Sequence, residues 1–212
     1  MKHIVFDIET VPQDETKLLA LAPEFTAAAN LKDPEKIAAS IAKKRADYLA
    51  DAALNWKTAE VVLIGAGDDA EIQSLTAGTE KELIGNFLSL AADALGDGVV
   101  VGGHNVKGFD LPMLVNRARV HGLRVPSNIL KFWKGRPQWA DNIFDTLEIL
   151  SFGRSFDGNG VDDVARVFGL PPKLGQGGEF PTLWRADRAG AIAYNRRDVE
   201  IEIEIARVCG CI

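Results

Sequence analysis

The sequence predicts an α/β domain built on a β-sheet of mixed strand direction. Three observations carry this. Residues 2–9, KHIVFDIE, alternate in character and are rich in β-branched side chains, the signature of a strand with two different faces. AEVVLIGA (59–66) and EIQSLTAG (71–78) are two more strand-like runs, joined by GDDA as the turn of a hairpin. GVVVGG (98–103) is a short continuous apolar run between helical patterns, which suits a strand covered on both faces.

The intervening segments read as helices. In 33–55, Asp33 is the N-cap, Pro34 sits in the first turn, and Ile37, Ile41, Tyr48 and Leu49 form one apolar stripe. TEKELIGNFLSLAADAL (79–95) is amphipathic, with Thr79 and Glu82 as a capping box. DLPMLVNRARVHG reads as a helix capped by Asp110 and stopped at Gly122. Residues 126–144, rich in Lys, Trp and Pro, read partly as loop. DTLEILSF (145–152) and VDDVARVFGL (161–170) read as short helices, and 171–181, PPKLGQGGEFP, as an exposed loop. In the last segment VEIEIEI alternates like a strand. Tyr194, Asp198, Ile201, Ile205 and Val208 fall at helical spacing over a longer run, and the helix is the reading adopted.

Composition narrows the classes. With 212 residues, 47% hydrophobic and 25% charged, the chain suits one ordinary globular domain. No apolar run approaches the roughly 20 residues of a membrane span. The N-terminal apolar stretch turns acidic within a few residues, so no secretory signal is expected. Cys209 and Cys211 are too close to bridge readily and read as reduced thiols, which makes the cytoplasm the default compartment. The formal charge of −6 does not mark a nucleic-acid binder, yet residues 101–198 carry 14 Lys and Arg against 10 Asp and Glu. Basic side chains are thus concentrated in the second half, an imbalance that chance also produces.

Three groups of residues could carry chemistry. Asp7 and Glu9 lie at i and i+2 of a strand and share one face, with Ile4, Phe6 and Ile8 on the other. Neighbouring carboxylates repel and resist burial, and a hard divalent cation such as Mg²⁺ or Mn²⁺ relieves both problems. A solvated strand face explains the pair equally well, since 30 acids in 212 residues produce about four such pairs by chance. Asp110 either caps its helix or faces a metal cluster on the neighbouring strand. Tyr194 and Asp198, at i and i+4, share a helix face. With only 2 tyrosines in the chain that pairing is uncommon, though a core Tyr beside a solvated Asp would also produce it.

Taken in order, FDIET, HNVKGFDLPML and AYNRRDVE resemble the three motifs of the DEDD exonucleases, the proofreading nucleases of the ribonuclease-H-like fold. The Y-x-x-x-D form of the third motif is that of the tyrosine branch, because the position of the alternative histidine holds Ala193. The likeness is to the exonuclease domains of family-B DNA polymerases and stand-alone phage or prophage relatives. It implies a five-stranded mixed sheet flanked by helices, the first three strands antiparallel and the other two parallel to the first. It also implies a single exonuclease domain over 1–212 with a helical insertion at 23–57.

The resemblance further implies that Asp7, Glu9, Asp110 and Asp198 hold two divalent ions, Mg²⁺ or Mn²⁺. Tyr194 would orient the attacking water, and Thr10, Asn105 and Phe109 would contact the 3′-terminal nucleotides. His104 and Asp145 are expected to be structural, Asp145 as a helix cap. Trp133 and Trp139 are candidates for base stacking, with core packing as the simpler role for each. The implied activity is 3′→5′ hydrolysis of single-stranded DNA, with a DNA polymerase or the replication and repair machinery as partner and no membrane association. Two rivals stay open: an exoribonuclease with the same site, against which stands the chain's end 14 residues after Asp198, and a non-catalytic nucleic-acid-binding accessory, against which stand the intact acids.

Overall fold

The computed structural model describes residues 2–131, 142–152 and 160–212. Trp133 and Trp139 lie outside the described residues. The sheet has five strands: β1 (His3–Pro12), β2 (Ala59–Gly67), β3 (Ile72–Leu75), β4 (Val100–Gly103) and β5 (Ile143–Asp145), in the order β3-β2-β1-β4-β5. β1 pairs antiparallel with β2, and β2 antiparallel with β3; β4 runs parallel to β1 and β5 parallel to β4. This is the five-stranded mixed sheet flanked by helices that the motifs implied, consistent with a ribonuclease-H-like fold.

Alternation along β1 decides what each sheet face does. Ile4, Phe6 and Ile8 enter a core shared with α3 (Glu80–Gly96) and α4 (Asp110–Val120). Val5 points the other way and packs on Val199, Ile203 and Ala206 of the 21-residue helix α8 (Arg188–Val208). Asp7 and Glu9 share the Val5 face, so they look toward α8. The VEIEIEI run is therefore helical. Its Ile201, Ile203 and Ile205 are each at most 4% exposed, because α8 is held from two sides: the sheet takes Ile203, and α6 (Val161–Val167) takes Ile201 and Ile205.

Several local expectations hold in detail. Asp33 caps α2 (Pro34–Ala50) by accepting the Glu35 N–H at 2.9 Å, Thr79 caps α3 through the Glu82 N–H, and Gly122 ends α4 with φ +66°. Asp145 caps α5 (Thr146–Leu150).

Others are corrected. Asp110 does not cap α4; it is that helix's first residue, Phe109 holds the cap position, and the Asp110 carboxylate instead accepts the Ile8 N–H of β1 at 3.0 Å. Between β1 and β2 lies α1 (Glu15–Leu21), ahead of α2, and the α2 stripe is only half-buried. β5 lies at the end of the stretch read partly as loop, just where the resemblance puts a fifth strand before Asp145. Three residues are too few to show a period, and pairing with β4 makes them a strand. The exposed loop over 171–181 ends early: Phe180, 1% exposed, starts α7 (Phe180–Ala186) and packs with Trp184, Val11 and Tyr194.

Candidate active site

Asp7 and Glu9 on β1 and Asp198 on α8 each offer a carboxylate oxygen within 4.8 Å of the others. Glu9 and Asp198 are buried and Asp7 is half-buried. The placement follows from two simple repeats. Period two sets Asp7 and Glu9 on one strand face, and i, i+3, i+7 spacing sets Asn195, Asp198 and Glu202 on the α8 face that meets it. Burial, followed by the field of Asp198, pushes the Asp7 carboxyl up to about 7, although Lys173 and Asn195 partly oppose the shift. Burial with the field of Asp7 pushes Glu9 well above the ordinary carboxylate range as well. Such a cluster of hard oxygen donors is poorly tolerated by itself and suits a divalent cation. Asp198 Oδ1 is buried without a hydrogen-bond partner, which leaves one donor ready for an ion.

Asp110 stands beside this group but outside the 4.8 Å set. Its bond to Ile8 anchors it to the same strand, and its carboxyl is raised first by burial and then by Asp7. Tyr194 is 3% exposed and its ring is tilted against Phe180, with centroids 5.8 Å apart. Its hydroxyl is buried without a hydrogen-bond partner. Burial and the nearby Asp198 push the phenol well above its ordinary pKa, so it stays protonated.

The turn before α4 is stretched over Asp145. That carboxylate, 1% exposed, accepts the Asn105 and Lys107 N–H groups, each at 3.0 Å, while capping α5. Asn105 takes φ +61°, a left-handed conformation that Asn tolerates better than most residues. Phe109 is half-buried. His104 makes a structural contact, its Nδ1 lying 2.9 Å from the Thr146 hydroxyl. Thr10 is buried and donates its hydroxyl to the Ala53 carbonyl at 2.7 Å, on the sheet face away from Asp7 and Glu9. Of the three expected nucleotide contacts, Asn105 and Phe109 therefore offer partly exposed side chains, and Thr10 does not.

Residues 47–201 match a family described as "predicted 3′-5′ exonuclease related to the exonuclease domain of PolB". The chain belongs to this PolB-related exonuclease family. The matched stretch contains Asp110, Tyr194 and Asp198 and begins after Asp7 and Glu9. No curated protein matches the sequence significantly. Among solved structures, the family B DNA polymerase from the hyperthermophilic archaeon Pyrobaculum calidifontis is similar in fold, with a TM-score of 0.54 at 16% identity over 97% of this chain. The chain spans 24% of that polymerase's length.

Four residues of this family member stand at the acids without having been singled out from sequence: Asn195, Gly65, Glu202 and Lys173. Asn195, fully buried, donates its amide to Asp7 Oδ2 at 2.8 Å and so orients that carboxylate. Gly65, opposite Asp7 in β2, makes room for it: a Cβ there would collide with the Asn195 side chain and come within 2.7 Å of Val199. Glu202, 3% exposed, accepts the His104 N–H at 3.2 Å and joins α8 to the turn before α4. The polar i, i+3, i+7 stripe shared with Asp198 was the available signal for both Asn195 and Glu202.

Lys173 carried no local signal. It comes from the loop after α6, and its ammonium meets Asp198 Oδ2 at 2.7 Å and lies 5.4 Å from the Tyr194 ring centroid. Arg196, Arg197 and Lys107, the basic residues within the motifs, pair instead with Glu200, Glu200 and Glu148. Lys173 thus supplies positive charge where a metal ion would. Lys173→Gln is expected to tighten Mn²⁺ binding roughly tenfold in calorimetric titration without DNA, the scale of one hydrogen bond to a charged group. Unchanged or weaker binding would show that the lysine does not compete with the ion.

No helix among the described residues is long and apolar enough to cross a membrane.

Proposed function

We propose that residues 1–212 act as a tyrosine-branch 3′→5′ exonuclease that removes nucleotides from the 3′ end of single-stranded DNA in the cytoplasm, using two divalent ions. The observation that carries this is the convergence of Asp7, Glu9 and Asp198 within 4.8 Å, with Asp198 Oδ1 and the Tyr194 hydroxyl buried and unpartnered beside them. Buried polar atoms are nearly always hydrogen-bonded, so two left without a partner beside the acids support a site that takes a ligand. A module that only binds nucleic acid has no use for carboxylates facing phosphate.

The donor set fits Mg²⁺ or Mn²⁺. Asp7, Glu9 and Asp198 would hold one ion, and Asp7 with Asp110 a second. When bound, such ions neutralise the cluster, acidify water and stabilise charge on a departing oxygen.

The chain's own residues do the rest. Asn195 holds Asp7 in one rotamer. Tyr194, protonated because it is buried, cannot act as a base near neutral pH and is suited to hold a water by hydrogen bond. Phe109 and Asn105 present a ring and an amide to the terminal nucleotide at the start of α4. The polymerase or repair partner implied by the family stays part of this proposal.

Purified protein incubated with matched labelled DNA and RNA oligonucleotides and Mg²⁺ or Mn²⁺ should shorten the DNA from its 3′ end, and excess EDTA should stop it. Full activity in EDTA would overturn the metal dependence, and preference for RNA would move the assignment to an exoribonuclease. Tyr194→Phe separates a space-filling ring from an orienting hydroxyl. Single-turnover cleavage should slow to the low end of the roughly 10²–10⁴-fold contributed by positioned proton-handling groups, or somewhat less, with DNA affinity little changed. Wild-type turnover in this variant would remove the tyrosine from the mechanism.

A further inference from the structure

The connection from β1 to β2 leaves a groove that the exonuclease reading does not use. Its volume is 840 Å³, within the roughly 300–1,000 Å³ typical of ligand sites. The Asn55–Thr58 turn forms its floor, with α1 and Tyr48 of α2 on one side and the last turn of α4 on the other. Lys17, Lys57, Arg117 and His121 line it with the rings of Tyr48 and Trp56. Among the described residues no acid lines it, although the chain carries 30 Asp and Glu against 24 Lys and Arg.

The walls are preformed. Arg117 and His121 are anchored by Glu80, and Arg117 also donates to the Trp56 carbonyl at 3.3 Å. Gln13 donates to the Lys57 carbonyl at 3.2 Å, and the Tyr48 hydroxyl to the Leu18 carbonyl at 2.9 Å. Trp56 is nevertheless 37% exposed, with the Lys57 ammonium 5.7 Å from its ring centroid. Lys17 pairs with the exposed Asp14 at 3.2 Å.

An exposed aromatic residue beside lysines is an arrangement that holds single-stranded nucleic acid: bases stack and phosphates meet the charges. Gln13, just after β1, lines the groove, which lies on the α4 face of the sheet, opposite Asp7 and Glu9, so a strand leaving the acids would pass round the end of β1 to reach it. Thr10, next to Glu9, donates to the Ala53 carbonyl, and Trp56 follows Ala53 by three residues, at most ~11 Å of extended chain.

We propose that this groove is a second contact site for the DNA strand whose 3′ end is cleaved, with a base stacked on Trp56 and neighbouring phosphates at Lys57 and Lys17. The choice of DNA rests on the exonuclease reading; the groove's chemistry does not.

The test compares a trinucleotide with a hexadecanucleotide of thymidylate, binding by anisotropy in Mg²⁺ with Asp7→Ala present to prevent cleavage. Adding Trp56→Ala and Lys57→Ala should weaken the longer strand roughly 5- to 100-fold, the scale of one lost stacked base, and leave the trinucleotide unchanged. Lys57→Glu alone, at an exposed position, should weaken the longer strand in the same direction, and Trp56→Phe should restore most of the stacking.

In the otherwise wild-type chain, release of p-nitrophenol from thymidine 5′-p-nitrophenyl phosphate should be unaffected by these changes. Equal loss for both lengths, or none for either, overturns the proposal. Absence of p-nitrophenol release from the wild-type chain, with the length-dependent loss intact, would overturn the exonuclease reading and leave the groove as a binding site.

Discussion

Asp7→Ala should abolish cleavage and raise the melting temperature of the metal-free protein. Asp7 is the acid nearest to all the others in effect, since its charge raises the carboxyls of Glu9, Asp110 and Glu202. If Asp7 is the shared metal ligand of the proposed mechanism, its loss removes several kcal/mol of transition-state stabilisation, or roughly 10³-fold or more in rate. Losing one of several crowded negative charges relieves repulsion in the apo state.

The pH dependence has a definite sign. The folded Asp7 carboxyl titrates at about 7 against an ordinary 3.8, so between those values the folded protein holds a proton that the unfolded chain has released. Stability therefore falls as pH rises through that window. Melting curves in EDTA should show higher stability at pH 5 than at pH 8, and Asp7→Ala should flatten part of the difference. A destabilised variant that still cuts DNA would make Asp7 structural.

Arg117→Ala should cost about 3–5 kcal/mol of folding stability, or roughly 6–20 °C in melting temperature for a domain of this size. Glu80, at the start of α3, is 8% exposed and accepts the Val61 N–H of β2 at 2.8 Å, Arg117 Nε at 2.8 Å and His121 Nε2 at 2.6 Å. Burial pushes its carboxyl up, but the Arg117 and His121 hydrogen bonds outweigh burial and hold it below the ordinary range. Removing the guanidinium leaves a buried charge with a weaker partner. Glu80→Leu with Arg117→Met should recover most of the loss, because an apolar pair of similar volume needs no counter-ion. Denaturant unfolding of both variants checks this, and a cost under about 1 kcal/mol for Arg117→Ala would mean that His121 alone suffices.

Much of the candidate site was legible in short stretches of sequence. Alternation in KHIVFDIE puts Asp7 and Glu9 on one face, and four-residue spacing aligns Tyr194 with Asp198, because both relations lie within one element and depend only on its period. The strand directions likewise followed from the resemblance that the ordered motifs carry, whereas the strand order came from the structure. The comparison is less direct for VEIEIEI, where both periods are present in the sequence, and the packing of Ile201, Ile203 and Ile205 against the sheet and α6 selects the helix.

Other features belong to the tertiary structure alone. Asp110 reads as a cap locally, yet its carboxylate reaches the Ile8 N–H, 102 residues away in sequence, because β4 delivers the start of α4 beside β1. Phe180 looks like the end of an exposed loop until Val11 and Tyr194 close over it. Lys173 sits in a run of prolines and glycines with no period to read, and only the fold of that loop over α8 brings its ammonium to Asp198. Within an element, spacing along the chain determines which side chains share a face. Between elements, partners are chosen by burial and charge, and those act on distances that exist only once the chain has folded.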